Sequence, residues 1–278
     1  MNWIDPAAAV ERCGAFIRET LAASGRDRLV IGLSGGIDSA VAAGLAVQAL
    51  GPDRVAGVMM PYATSSAASL TDARAVADTL GMAADTVAIT PMADAFLAAF
   101  ASDDRVRRGN VMARCRMIVL YDRSARDGAL VLGTGNRTEG LLGYTTMYGD
   151  NACALNPIGQ LYKTEIRALC AHLGLPESVL TKAPSADLWE GQADEDELGV
   201  TYEEVDRLLV HMVDEGLGAG QLRALGFTDE LVVKVGRRVR AMAFKRQAPP
   251  VCDFPGRVDP DRAGADFGDT GGKDGGFH

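Results

Sequence analysis

The stretch VIGLSGGIDSAVAAGLAVQAL, from Val30 to Leu50, decides how the rest of the chain is read. A short apolar run ends at Leu33, the small residues Ser34, Gly35 and Gly36 follow, and helical spacing begins near Ser39. A strand that turns through small residues into a helix gathers backbone N–H groups and the positive end of the helix dipole at one point. That arrangement binds anions. Asp38 stands inside it, and a carboxylate repels phosphate unless a divalent cation lies between them, so the pattern predicts Mg²⁺ on a polyphosphate. The plainer alternative is a Gly-rich turn in which Asp38 and Ser39 only cap the helix. The full string SGGIDS directly after a strand is more specific than such a turn requires. Neither G-x-x-x-x-G-K-[ST] nor G-x-G-x-x-G is present, so this is neither the Walker loop nor the dinucleotide fingerprint.

Outward from this loop, short apolar runs alternate with helical patterns. Strands are expected at Arg28–Leu33, Val55–Met60, Asp85–Ile89 and Ala129–Thr134. Helices are expected after Ser39, over about Thr71–Leu80, over about Pro91–Phe100 and through VMARCRMIVLYDRSA. Buried strands joined by crossover helices predict an α/β fold with a doubly wound, mostly parallel, Rossmann-like sheet, and ligands beyond the carboxyl ends of the strands. After Thr134 the composition turns to Gly, Asn and Thr. YKTEIRALCAHLG then has helical spacing, Lys182–Gly199 reads as a long acidic loop suited to a lid, Thr201 and Glu204 form a capping box, and a basic helix is expected over about Asp229–Arg246. Residues 1–250 are expected to form one domain. Residues 251–278 hold too few apolar side chains to order themselves and read as a disordered tail.

Composition narrows the function classes. Of 278 residues, 47% are hydrophobic and 23% charged, enough for a substantial core. A net charge of −9 speaks against a nucleic-acid partner. No run of 18 apolar residues occurs and the N-terminus lacks a signal-peptide pattern, so a cytoplasmic protein with no membrane partner is expected. Five cysteines without a C-x-x-C pair suggest neither a disulfide framework nor zinc. His172 and His211 read as ordinary helix residues.

SGGIDS resembles the pyrophosphatase-type loop of the adenine nucleotide alpha hydrolase-like enzymes, which cut ATP between the α and β phosphates and activate a carboxylate as its adenylate. In the second half, GTGNRTEGLLGY, YGD, NPIGQLYKTE, KAPSADLWEGQADEDELG and TYEEVDRLL are together similar to the ammonia-dependent NAD synthetase family, over roughly residues 10 to 250. The resemblance implies Mg²⁺- and ATP-dependent amidation of nicotinate adenine dinucleotide (deamido-NAD) by ammonia, through an adenylate, giving NAD, AMP and pyrophosphate.

It places ATP on Gly32, Leu33, Ser34, Gly35, Gly36, Ile37, Asp38 and Ser39, with Thr134, Lys163 and Ser185 as further contacts. Asp38 and Glu139 become Mg²⁺ ligands, and Asp38, Glu139 and Lys163 the catalytic set. Arg114, Met147, Ala154, Phe244 and Lys245 fall at the deamido-NAD site. Many members have Lys, Asp and His where this chain has Met147, Ala154 and Phe244. The resemblance also implies a homodimer with substrate near the interface. A glutamine-dependent version needs a further domain for which 278 residues leave no room, so ammonia is the expected nitrogen source. Two rival readings are a different amidating or tRNA-modifying enzyme with the same loop and a nucleotide-binding regulator that keeps the fold without turnover. A tRNA-modifying enzyme would want a basic face or zinc-type cysteines, and a nucleotide-binding regulator would not need Glu139 and Lys163 beside Asp38.

Overall fold

The computed structural model describes residues 3–100, 102–182, 200–252, 254 and 256. Four strands form one parallel sheet among them: β1 (Leu29–Gly32), β2 (Val55–Met59), β3 (Ala84–Thr86) and β4 (Leu130–Val131), in the order β3-β2-β1-β4. Leu29 pairs with Val55 on one side and Leu130 on the other. Successive side chains of a strand point to opposite faces, and the apolar clusters follow that period. Leu29 and Ile31 join one core with Val55 and Met59, whereas Val30 joins another with Val58 and Val131.

Helices cover both faces. Against the first core lie α1 (Pro6–Ser24), α2 (Ile37–Leu50), α3 (Ala67–Leu80) and α7 (Lys163–His172); against the second lie α4 (Thr90–Ala99) and α5 (Arg105–Asp127). This is the doubly wound architecture expected from the strand–helix rhythm. Helix α2 is buried from Ser39 to Ala46 because it sits between α1 and α7, and its run of Ala and Gly lets those helices approach closely. A third apolar cluster joins α6 (Arg137–Leu142), α9 (Tyr202–Leu209), α10 (Ala219–Ala224) and α11 (Asp229–Ala241), through Leu142, Leu208, Leu222 and Val235. The short α8 (Glu177–Thr181) follows α7.

Several boundaries differ from those read in the sequence. Strand β3 stops at Thr86 instead of continuing to Ile89; single bonds from Val87 N–H to the Met59 carbonyl and from Ile89 N–H to that of Pro61 carry the chain onward. Strand β4 is confined to Leu130–Val131 because pairing then changes partner: Leu132 N–H still donates to Val30, but Gly133 N–H donates to Leu155. Helix α3 starts at Ala67, where the Ser66 hydroxyl accepts the Ser69 N–H, and α5 starts at Arg105, capped by Asp104. The expected basic helix to Arg246 ends at Ala241. Met242 packs on Gly143, and a 3₁₀ turn over Ala243–Arg246 brings Lys245 and Arg246 to carbonyls at the end of α6. The hydroxyl half of the expected capping box is present, Thr201 Oγ1 accepting the Glu204 N–H at 3.3 Å. The acidic stretch from residue 183 to 199, and the tail beyond 256, lie outside the described residues.

Candidate active site

Strands β1 and β4 are neighbours although β2 and β3 come between them in the chain, so the winding reverses between them. Loops leaving the carboxyl ends of two such strands part, and a crevice opens at this point in open α/β sheets. A cleft of about 340 Å³ lies here. One wall is residues 32–39 after β1, apart from Gly35, and the other is residues 132–135 after β4, with Glu139 and Lys163 adjoining.

The loop after β1 is shaped by contacts that tolerate little change. Gly35 has φ 73°, and a Cβ there would lie 2.1 Å from the Ser69 carbonyl oxygen, so both backbone conformation and close approach demand glycine. Gly36 N–H donates to Ser34 Oγ at 3.2 Å, and Ser39 Oγ donates to the Gly36 carbonyl at 3.0 Å. Gly36 is the N-cap of α2, which puts Asp38 in the first helical turn beside the open amides.

Two side chains from distant parts of the chain bond to Asp38, and one of them also bonds to Glu139. Asn136 Nδ2 donates to its Oδ1 at 2.7 Å, and Lys163 Nζ donates to its Oδ2 at 2.5 Å and to Glu139 Oε1 at 3.1 Å. Glu139 is aimed by a capping box. Its Oε2 accepts the Asn136 N–H while Asn136 Oδ1 accepts the Glu139 N–H, which leaves Oε1 for Lys163. Lys163 opens α7 and is 3% exposed, far from the surface-helix lysine its sequence context allows. Burial by itself would lower its pKa, but the carboxylates of Asp38 and Glu139 outweigh burial and hold the ammonium above its ordinary value. Burial raises the Glu139 carboxyl; Lys163 opposes and Asp38 adds to the rise.

Two carboxylates thus share one ammonium, and the cluster is one positive charge short of neutral when both are ionised. Hard oxygen donors in that state, next to the first amides of a helix, suit Mg²⁺, which takes one or two protein carboxylates and completes its shell with phosphate oxygens and water. The residues present therefore fit the metal the sequence implied.

Thr134 lines the cleft, and Ser185 lies outside the described residues. The expected dinucleotide residues do not line it. Most gather around residues 143–147 instead. Arg114, exposed on α5, donates through Nε and Nη2 to the Met147 carbonyl at 3.3 and 3.1 Å, and Lys245 Nζ donates to the carbonyls of Gly143 and Thr145. Phe244 is 54% exposed next to Lys245, and Ala154 stands apart, its N–H on the Val131 carbonyl.

Sequence reasoning missed Asn136 and Lys182. The capping pattern N-x-x-E was legible, but the bond from Asn136 to Asp38 spans 98 positions and was not. Lys182 lines the cleft and donates to Asp72 Oδ2 and Ser69 Oγ, each at 3.0 Å, and to the Gly35 carbonyl at 3.4 Å, which ties the start of α3 to the phosphate-type loop.

Comparison with known proteins shows the family and the fold. The profile of the family described as NAD synthase matches residues 9–249. The NH(3)-dependent NAD(+) synthetase of Pelodictyon phaeoclathratiforme is 50% identical over 244 residues, 88% of each chain. Among solved structures, the NH3-dependent NAD synthetase of Campylobacter jejuni superposes with a TM-score of 0.77 at 35% identity, covering 90% of this chain and 100% of that one. The NMN synthetase of Francisella tularensis superposes at 0.81 with 32% identity and the same coverage.

Proposed function

The chain belongs to the NAD synthase family, and on that premise we propose that the cleft between β1 and β4 is its active site. The protein is a ligase that amidates deamido-NAD with ammonia at the expense of ATP, giving NAD, AMP and pyrophosphate. The observation that carries the assignment of the site is the single ammonium of Lys163, shared by Asp38 and Glu139 beside the amides of residues 34–39.

The products dictate the bond that breaks. Pyrophosphate leaves whole and AMP keeps the α-phosphorus, so the nicotinate carboxylate attacks that phosphorus and an acyl adenylate forms. Ammonia then attacks the adenylate carbonyl, and AMP departs. Residues 32–39 bind the triphosphate through backbone N–H groups at the start of α2. Asp38 and Glu139 would hold Mg²⁺, which when bound offsets charge that builds on the leaving pyrophosphate. Lys163 sits where a fixed cation stabilises the same charge, and Thr134 offers a hydroxyl from the opposite wall. The cleft walls keep the adenylate from water, which would hydrolyse it.

The group around residues 143–147, with Arg114 and Lys245, takes the dinucleotide. Arg114, Ile118 and Tyr121 share one face of α5 at helical spacing, and Ile118 and Tyr121 are 52% and 40% exposed. A second copy covering that face makes a homodimer with the dinucleotide residues at its edge. Among the described residues no helix is long and apolar enough to cross a membrane, and a cytoplasmic enzyme is the inferred setting. Residues 1–250 work as one catalytic unit.

Incubation with ATP, Mg²⁺, ammonium and deamido-NAD carrying ¹⁸O in its carboxylate tests the chemistry. One ¹⁸O should appear in AMP and none in pyrophosphate. Label in pyrophosphate, or ADP in place of AMP, would contradict attack at the α-phosphorus. Parallel runs with nicotinate mononucleotide separate NAD synthesis from NMN synthesis, the two activities for which solved neighbours are named, and turnover of the mononucleotide alone would reassign the substrate.

A further inference from the structure

Helix α9 contributes nothing to the chemistry above, yet one of its faces touches both segments that carry the shared ammonium and its partner carboxylate. Asp206 on this helix is 0% exposed. Its Oδ1 accepts the Thr138 hydroxyl at 2.6 Å, and its Oδ2 accepts both the N–H and the hydroxyl of Thr164 at 2.8 Å. Thr138 immediately precedes Glu139, and Thr164 immediately follows Lys163. The Thr138 hydroxyl also accepts the Lys163 N–H at 3.0 Å. One turn earlier on α9, the ring of Tyr202 lies 5.5 Å from the Lys163 ammonium.

Burying a carboxylate is costly unless its lone pairs are engaged. Here three short bonds engage them, and the bonds run to the residues beside the two groups that must meet at Asp38. Neutral polar groups would satisfy two threonines at lower desolvation cost. A carboxylate adds two oxygens that draw the start of α6 and the start of α7 onto one rigid fork, with charge-assisted bonds stronger than neutral ones.

We propose that Asp206 is a positioning residue of the amidation reaction: acting through Thr138 and Thr164, it fixes the spacing of Glu139 and Lys163 at the ATP site. This rests on the active-site assignment above. Small misplacements of groups that act on a developing charge reduce turnover more than they reduce ground-state binding.

The test is steady-state kinetics of the full chain with ATP, Mg²⁺, ammonium and deamido-NAD, well below the melting temperature, for Asp206→Asn, Thr138→Val, Thr138→Ser and the double variant Asp206→Asn/Thr138→Val. Asp206→Asn keeps the volume, and its amide can turn its oxygen to Thr164, which favours retention of the fold. Expected is a fall in kcat of about tenfold or more for Asp206→Asn and Thr138→Val, with KM for both substrates within about threefold. Thr138→Ser, which keeps the hydroxyl, restores kcat, and the double variant is no worse than the poorer single one. A purely structural role would lower thermal stability and leave kcat of the folded enzyme unchanged, and that outcome overturns the proposal, as do multiplicative losses in the double variant. Should Asp206→Asn not fold, the contrast between Thr138→Val and Thr138→Ser decides alone: equal kcat in both overturns it. Wild-type protein that forms no NAD under these conditions would instead refute the assignment of the reaction.

Discussion

Replacing Lys163 with Met removes the ammonium from between Asp38 and Glu139 and leaves two carboxylates without a counter-charge. The side chain of Lys163 is 3% exposed and those of Asp38 and Glu139 are 17% and 18% exposed, so water reaches the carboxylates only partly. Removing one member of a buried charge cluster costs about 3–5 kcal/mol, and the residual hydration places this site at the low end, about 3 kcal/mol. For a protein of this size that corresponds to a fall in Tm on the order of 10 °C. Mg²⁺ should restore much of it in Lys163→Met and add less to the wild type, because a divalent cation neutralises the carboxylates the lysine no longer serves. Turnover should fall by about 10²–10³, the usual effect of losing one preorganised group aimed at developing charge. Calorimetry in EDTA and in Mg²⁺, with single-turnover measurement of AMP release, reads both effects. A Tm within 2 °C of wild type in EDTA, or kcat within about threefold, would refute the central place given to this ammonium.

Asp38→Asn and Glu139→Gln should each abolish pyrophosphate release without unfolding the protein, since each leaves Lys163 one intact carboxylate; undiminished turnover at saturating Mg²⁺ would remove that residue from the site. Gly35→Ala should raise KM for ATP more than KM for deamido-NAD, because its methyl would meet the Ser69 carbonyl oxygen at 2.1 Å and displace the loop; equal shifts in both constants would argue against a phosphate role. Arg114→Ala should weaken use of deamido-NAD selectively through loss of its two bonds to the Met147 carbonyl, whereas Met147→Lys should change little because Arg114 engages the backbone there and not the side chain. Ammonium should sustain NAD formation and glutamine alone should not; efficient glutamine-driven turnover would contradict ammonia as the direct nitrogen source.

What the sequence revealed of the fold followed how local each signal is. The strand, small-residue turn and helix at residues 30–50 are contiguous, and the parallel sheet and its phosphate-type loop could be read there without any long-range contact. The contact from Asp38 to Lys163 spans 125 positions, and neither pattern nor spacing brings those residues together; only the resemblance to a family did. Helix α5 begins six residues before the expected start; Arg105, Arg107 and Arg108 in its first turn, where cations oppose the helix dipole, hide that start in the sequence. Asp104 compensates by accepting the N–H groups of Val106 and Arg107. The overlong last helix has a tertiary cause, since nothing near Met242 in the sequence shows that it packs on Gly143. Asp206 stood in a recognised motif without a role, and its two threonine partners lie 68 and 42 positions away.

A crystal structure of the protein with Mg²⁺ and a non-hydrolysable ATP analogue would show where the triphosphate and the metal bind. The expected result is a triphosphate along residues 32–39, with the metal bound by Asp38 and Glu139 and Lys163 against the phosphates. A nucleotide seated elsewhere, or a metal that touches neither carboxylate, would contradict it.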